Sequence, residues 1–185
     1  MSSLHRILNT FKKATPELVA AGTQWYPDAL AYAKGLDRNT ERAVGVIAAL
    51  SPRQHWETNK AGAAKILKAA QHSSTIVPTV AGTYRNIQKA WDIANGADPV
   101  MVLTPTRPNR WLKVPRFYAN ILGNTELVTV DIWAARVAID KAPDVVAGSL
   151  YKRIEEMYQR AASVVGLVPR DLQAICWLTI QQEWS

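Results

Sequence analysis

Along almost the whole chain, apolar positions recur three and four residues apart, the spacing of a helix face rather than the alternation of a strand. Leu4, Ile7, Leu8 and Phe11 set the pattern, with Arg6, Lys12 and Lys13 on other faces, and predict a short amphipathic opening helix. Thr15-Pro16-Glu17 joins a cap to a proline at the first helical position, and so predicts a helix through Leu18 and Val19 up to Gly22. A separate helix is expected from Trp25-Tyr26-Pro27 through Ala29, Leu30 and Ala33, closed by Gly35. After Asn39-Thr40 the run Ala43 to Leu50 is nearly continuous in small and branched residues, which predicts a helix buried on most sides.

Ser51-Pro52 repeats the cap-plus-proline signal and is expected to launch Arg53 to Lys60, continued by the apolar face of Ala61, Ala64, Ile66 and Leu67. The polar segment Gln71 to Thr83 reads as a long loop, Tyr84 to Asn95 as a helix stopped at Asn95-Gly96, and the proline-rich Asp98 to Trp111 as an extended basic loop. Gly148 to Val165 predicts one long helix ended at Gly166, with Glu155-Glu156 on its solvated face, and Pro169 to Trp184 a last one. There is no alternating strand pattern longer than a few residues, no internal repeat and no low-complexity tract. The expected fold is therefore all-α.

Lys113 to Asp140 carries the candidate chemistry. It reads as a basic loop, a helix, a turn at Gly123-Asn124 and a second helix whose cap is Asp131. A carboxylate at a helix N-terminus is stabilised by free backbone N–H groups and the macrodipole, which are expected to hold it ionised at neutral pH. Behind a cationic loop it can face a developing positive charge or orient a water. Capping alone also accounts for an Asp at this place.

Composition narrows the partners. Lysine and arginine number 22 against 15 acidic residues, a formal charge of +7 that suits a polyanion. The single cysteine, Cys176, excludes an internal disulfide, a four-cysteine zinc site and a cysteine-ligated cluster, and suits a reducing cytoplasm. His5, His55 and His72 show no metal spacing, and no glycine-rich nucleotide loop is present, so neither metal nor cofactor is expected. No apolar run approaches the ~20 residues of a membrane span. At 185 residues the chain makes one domain, in two lobes.

Two segments resemble the helix-hairpin-helix DNA glycosylases of the endonuclease III type. Ile47-Ala-Ala-Leu-Ser-Pro-Arg-Gln-His-Trp-Glu-Thr-Asn-Lys-Ala61 is similar to that family's early helix pair. Val114-Pro-Arg-Phe-Tyr-Ala-Asn-Ile followed by Val128-Thr-Val-Asp-Ile-Trp-Ala-Ala-Arg-Val resembles its hairpin and the helix with its catalytic aspartate. Together they cover roughly half the chain, and a looser likeness extends to bacteriophage proteins. The resemblance implies a two-lobed helical fold with a cleft between lobes of about residues 36–112 and 1–35 plus 113–185. It makes Asp131 the catalytic carboxylate acting on a flipped base. Arg53, Gln54, His55 and Trp56 fall where the family plugs the duplex and lines the base pocket, either Arg53 or Gln54 being the plug; Trp133 offers a stacking face.

The departures shape the expectation. Lys113, Val114 and Pro115 stand where the family hairpin has glycines, so Arg107, Arg110, Lys113 and Arg116 are expected to contact phosphates through side chains. Phe117 occupies the place of the Schiff-base lysine, which implies a water nucleophile and no lyase step. Three functions follow: a monofunctional DNA glycosylase; a transferase that hypermodifies a substituted pyrimidine in phage DNA; or a non-catalytic DNA-binding or host-interaction protein on the same scaffold. In each the expected state is a cytoplasmic monomer, in the host's cytoplasm if the chain is viral.

Overall fold

A computed structural model describes residues 2–106 and 112–183, and every regular element among them is a helix. In order these are α1 (Ser3–Lys12), α2 (Pro16–Leu36), α3 (Thr40–Leu50), α4 (Trp56–Gln71), α5 (Tyr84–Ala94), α6 (Pro99–Leu103), α7 (Lys113–Ile121), α8 (Ile132–Ala138), α9 (Gly148–Val165) and α10 (Pro169–Glu183). The chain divides into two compact units, residues 1–28 with 107–185 and residues 29–106. None of the helices among the described residues is long and apolar enough to cross a membrane.

In the first unit, α1, α8, α9 and α10 pack on one another. Their shared core is Ile7 from α1, Ala134 and Ala138 from α8, Tyr151, Ile154 and Tyr158 from α9, and Leu172 and Cys176 from α10. Burying each large side chain contributes about 1.5–3 kcal/mol. Gly166 ends α9 in the left-handed conformation, φ 71°, a geometry that costs glycine nothing.

The second unit is built on α3, where Ala43 through Leu50 are all buried. Asn39 caps this helix by accepting from the Arg42 N–H at 2.9 Å. Helices α4, α5 and α6 surround it. Gly45 allows the closest approach, since a Cβ there would lie 2.8 Å from a Pro99 carbon.

Four local expectations are corrected. The predicted break at Gly22 does not occur, and α2 runs unbroken through Pro27. Gly22 is instead a packing residue: a Cβ would stand 2.7 Å from the Ile175 backbone. Ser51 closes α3 rather than opening α4, its hydroxyl donating to the Ala48 carbonyl at 2.9 Å, and α4 starts only at Trp56. The expected loop after Asp98 begins with a helical turn because that carboxylate accepts from the Val100 N–H at 2.7 Å with Pro99 at the first helical position. Finally, Lys113 to Arg116 form the first turn of α7 and not a loop.

Candidate functional site

The Asp131 site begins with the connection from α7 to α8. Val128, Thr129 and Val130 are buried, so this non-helical stretch passes through the interior and each of its backbone groups needs a partner. Asn120, on α7, ties down the approach to it: its amide donates to the carbonyls of Asn124 and Leu127, both at 2.8 Å, while its side-chain oxygen accepts from the Thr129 hydroxyl at 2.8 Å. From α9, the Tyr151 hydroxyl donates to the Val128 carbonyl at 2.8 Å and accepts from the Val130 N–H at 2.9 Å. Glu155 accepts from the Val128 N–H and from Arg116 Nε, each at 3.0 Å. Arg170 closes the far side, its backbone N–H donating to the Thr125 carbonyl at 3.1 Å and its Nη1 to the Asn120 carbonyl at 3.3 Å.

The segment so held delivers Asp131 to the start of α8 as its N-cap, with one carboxylate oxygen accepting from the Ala134 N–H at 2.8 Å. Asp131 is half-buried, retaining contact with solvent at the end of the buried stretch of residues 128–130. Its proton affinity departs from the expectation. Burial raises its pKa, and the charge of Lys113 together with the backbone N–H groups lowers it by less, so the carboxyl sits above its usual range. The cap orients this group, but burial outweighs what the cap contributes to the charged form.

Around Asp131 lie polar groups that the sequence pattern did not single out. The Tyr26 hydroxyl donates to Gln173 Oε1 at 3.1 Å, and Arg170 lies 5.4 Å from the Tyr26 ring centroid. Burial pushes the Tyr26 hydroxyl well up, and the negative charge of Asp131 pushes in the same direction. Arg170 and Asp171 form a buried pair at 2.9 Å. Phe117 packs 5.8 Å from Trp25 and 6.2 Å from Tyr26. Trp133 follows Asp131 by two positions, in the first turn of α8, and Arg136 sits 4.9 Å from its ring centroid.

One carboxylate needs a correction. Glu155 was expected on a solvated face, yet it is only 6 % exposed and pairs with Arg116. A signal was present in the sequence: with Tyr151, Ile154, Tyr158, Ala161 and Ala162 it falls on the buried stripe of α9, where an acid must have a partner. Arg116, expected to meet phosphate, is thus also the counter-ion of that acid. Lys113 is half-buried beside Asp131, and Arg107 and Arg110 lie outside the described residues.

Arg53, Gln54, His55 and Trp56 belong to the other unit, the first three between α3 and α4 and Trp56 as the first residue of α4. Arg53 is exposed and carries a positive φ of 61°, a conformation that costs a non-glycine residue roughly 1–3 kcal/mol. His55 is the exposed N-cap of α4, with no side-chain capping bond. Trp56 is half-buried, 6.3 Å from the Tyr32 ring, and the Lys60 ammonium stands 5.3 Å from Tyr32 and 5.8 Å from Trp56. Buried Asn59 donates to the Ile47 carbonyl at 3.1 Å, and its side-chain oxygen has no partner in the structure.

A family described as one of unknown function, DUF7178, matches residues 2–184. The chain belongs to that family. No curated protein and no solved structure matches it significantly. Among the described residues no group of histidine, cysteine or acidic side chains is placed to hold a metal.

Proposed function

We propose that this protein is a DNA base-processing enzyme, a monofunctional glycosylase that hydrolyses the bond between deoxyribose and a flipped, modified base. The observation that carries the reading is Asp131: a half-buried carboxylate oriented by the Ala134 N–H, at the end of a buried stretch that Tyr151 and Glu155 hold by hydrogen bonds, with its pKa raised by burial. A carboxylate in that state is a stronger base than an ordinary one and, in a low dielectric, a stronger partner for positive charge. In the proposed step the glycosidic C–N bond breaks with its electron pair leaving on the base. Asp131 supports the oxocarbenium-like sugar and takes a proton from the water that bonds to C1′; the departing base is protonated in turn.

The strained, exposed Arg53 and the Trp56–Tyr32–Lys60 cluster supply the kinds of group that fill a duplex gap and stack on a base. The proposal includes the two-lobed glycosylase arrangement with its cleft, a DNA partner and action as a cytoplasmic monomer. Asp131→Asn preserves a good cap and removes the base. It should lower release of free base from modified duplex DNA, read by mass spectrometry, by about 100-fold or more while leaving DNA affinity unchanged. A fully active variant would reject the assignment, and a mass gain on the DNA in place of free base would turn the reading to group transfer.

A further inference from the structure

The first unit contains a hollow of about 310 Å³, lined by Arg6, Asn9, Thr10, Lys13, Arg136, Val137 and Ile180. Among the described residues its lining holds three cationic side chains and no acidic one. Arg6 pairs with Asp140 at 3.2 Å, and the Asp140 side chain is 83 % exposed, so that pair is weak and screened. Arg6 is locked from behind: its Nε donates to the Val137 carbonyl at 3.3 Å and its Nη2 to the Arg136 carbonyl at 3.4 Å, satisfying carbonyls that the end of α8 leaves open. Arg136 is held against Trp133. Buried Val137 and half-buried Ile180 form an apolar wall, which strengthens the field of the cations beside it.

Two guanidiniums held in place and an ammonium, converging from α1 and α8 on one hollow, match a tetrahedral oxyanion. We infer that this hollow is a phosphate site, and that the phosphate is a backbone group of a bound DNA strand. The identity of the carrier rests on the proposed function; the phosphate chemistry does not. Arg136 and Asp131 are five residues apart on one short helix, ~7.5 Å along its axis, so a strand seated here is tied to the carboxylate by rigid backbone.

The test compares Lys13→Gln/Arg136→Gln with a control of equal charge loss, Lys65→Gln/Lys68→Gln, on exposed positions of α4. Arg6 is spared because it holds α8. Binding of a DNA duplex is measured across a salt series, with thermal melts to confirm folding. The pocket variant should bind about 10-fold or more weakly than the control at low salt, with a salt slope shallower by about one to two. If the wild type binds DNA, equal behaviour of the two variants would overturn the inference. Inorganic phosphate, titrated calorimetrically into the wild type and the pocket variant, separates the sources. If the wild type ignores DNA yet binds phosphate in a manner the pocket variant loses, the site stands and its ligand is a free phosphate; binding of neither overturns it. Asp131→Asn should follow the wild type throughout, so failure of the carboxylate assignment and failure of the pocket are read independently.

Discussion

Asp37 and Asp131 are carboxylates drawn into the protein, one in each unit, and burial pushes both toward the neutral form. Their neighbours decide otherwise for one of them. Asp37 receives Arg42 in a forked grip, at 2.7 and 2.8 Å from Nη2 and 3.1 Å from Nε, with the Asn39 N–H at 2.7 Å and Gln71 at 3.3 Å. These contacts outweigh burial and hold its carboxyl below the usual range. Asp131 has backbone N–H groups and the charge of Lys113, which do not outweigh burial. A carboxylate that a guanidinium grips is committed to structure, whereas one that backbone groups merely aim keeps its affinity for a proton.

Glu155 belongs with Asp37 in this contrast, and its removal should have the largest effect on stability. Glu155→Ala leaves Arg116 without its counter-ion and the buried Val128 N–H without an acceptor, and should cost about 3–5 kcal/mol in chemical denaturation. A loss under 1 kcal/mol would mean that the α7–α8 connection is held by its other contacts alone.

The two aspartates should respond to pH with opposite signs. A depressed pKa contributes stability above the unfolded value that is lost as pH falls through the folded pKa, so Asp37→Asn should cost about 2 kcal/mol at neutral pH and progressively less in acid. A raised pKa contributes stability below the unfolded value that is lost as pH rises through the folded pKa. Asp131→Asn, which keeps the cap, should therefore match the wild type in strong acid and gain on it as pH rises from there. Melts of both variants from pH 2 to pH 7 check this; gaps of the same sign would erase the contrast.

The smallest effect concerns Arg53. Arg53→Gly relieves a left-handed strain that an arginine pays and a glycine does not, and should raise stability by about 1 kcal/mol, offset in part by the freer unfolded chain. If Arg53 fills a duplex gap, the same variant should bind modified duplex more weakly. Tighter melting with unchanged binding would confine the residue to a structural role.

The candidate site was half legible in the residues. Asp131 as a cap, the turn at Gly123-Asn124 and the end of α9 at Gly166 follow from local chemistry within a few positions, and the structure has each of them. Asn120, Tyr151 and Arg170 escaped notice because the groups they satisfy lie between 4 and 50 positions away in the chain, and nothing in their own neighbourhoods marks them. Gly22 misled for a related reason: as punctuation it predicts a break, but its use is to admit the Ile175 backbone.

By itself the sequence determined that the chain is helical, where most helices start and stop, and which faces are apolar, because periodicity and capping are properties of neighbouring residues. The tertiary structure alone decided which buried acids are neutralised by a cation and which are only oriented. A pKa depends on the groups within a few ångströms and on the water excluded, and those are set by packing between helices remote in the chain. That is why Asp37, Asp131 and Glu155, three acids whose surroundings the sequence does not disclose, end with different partners.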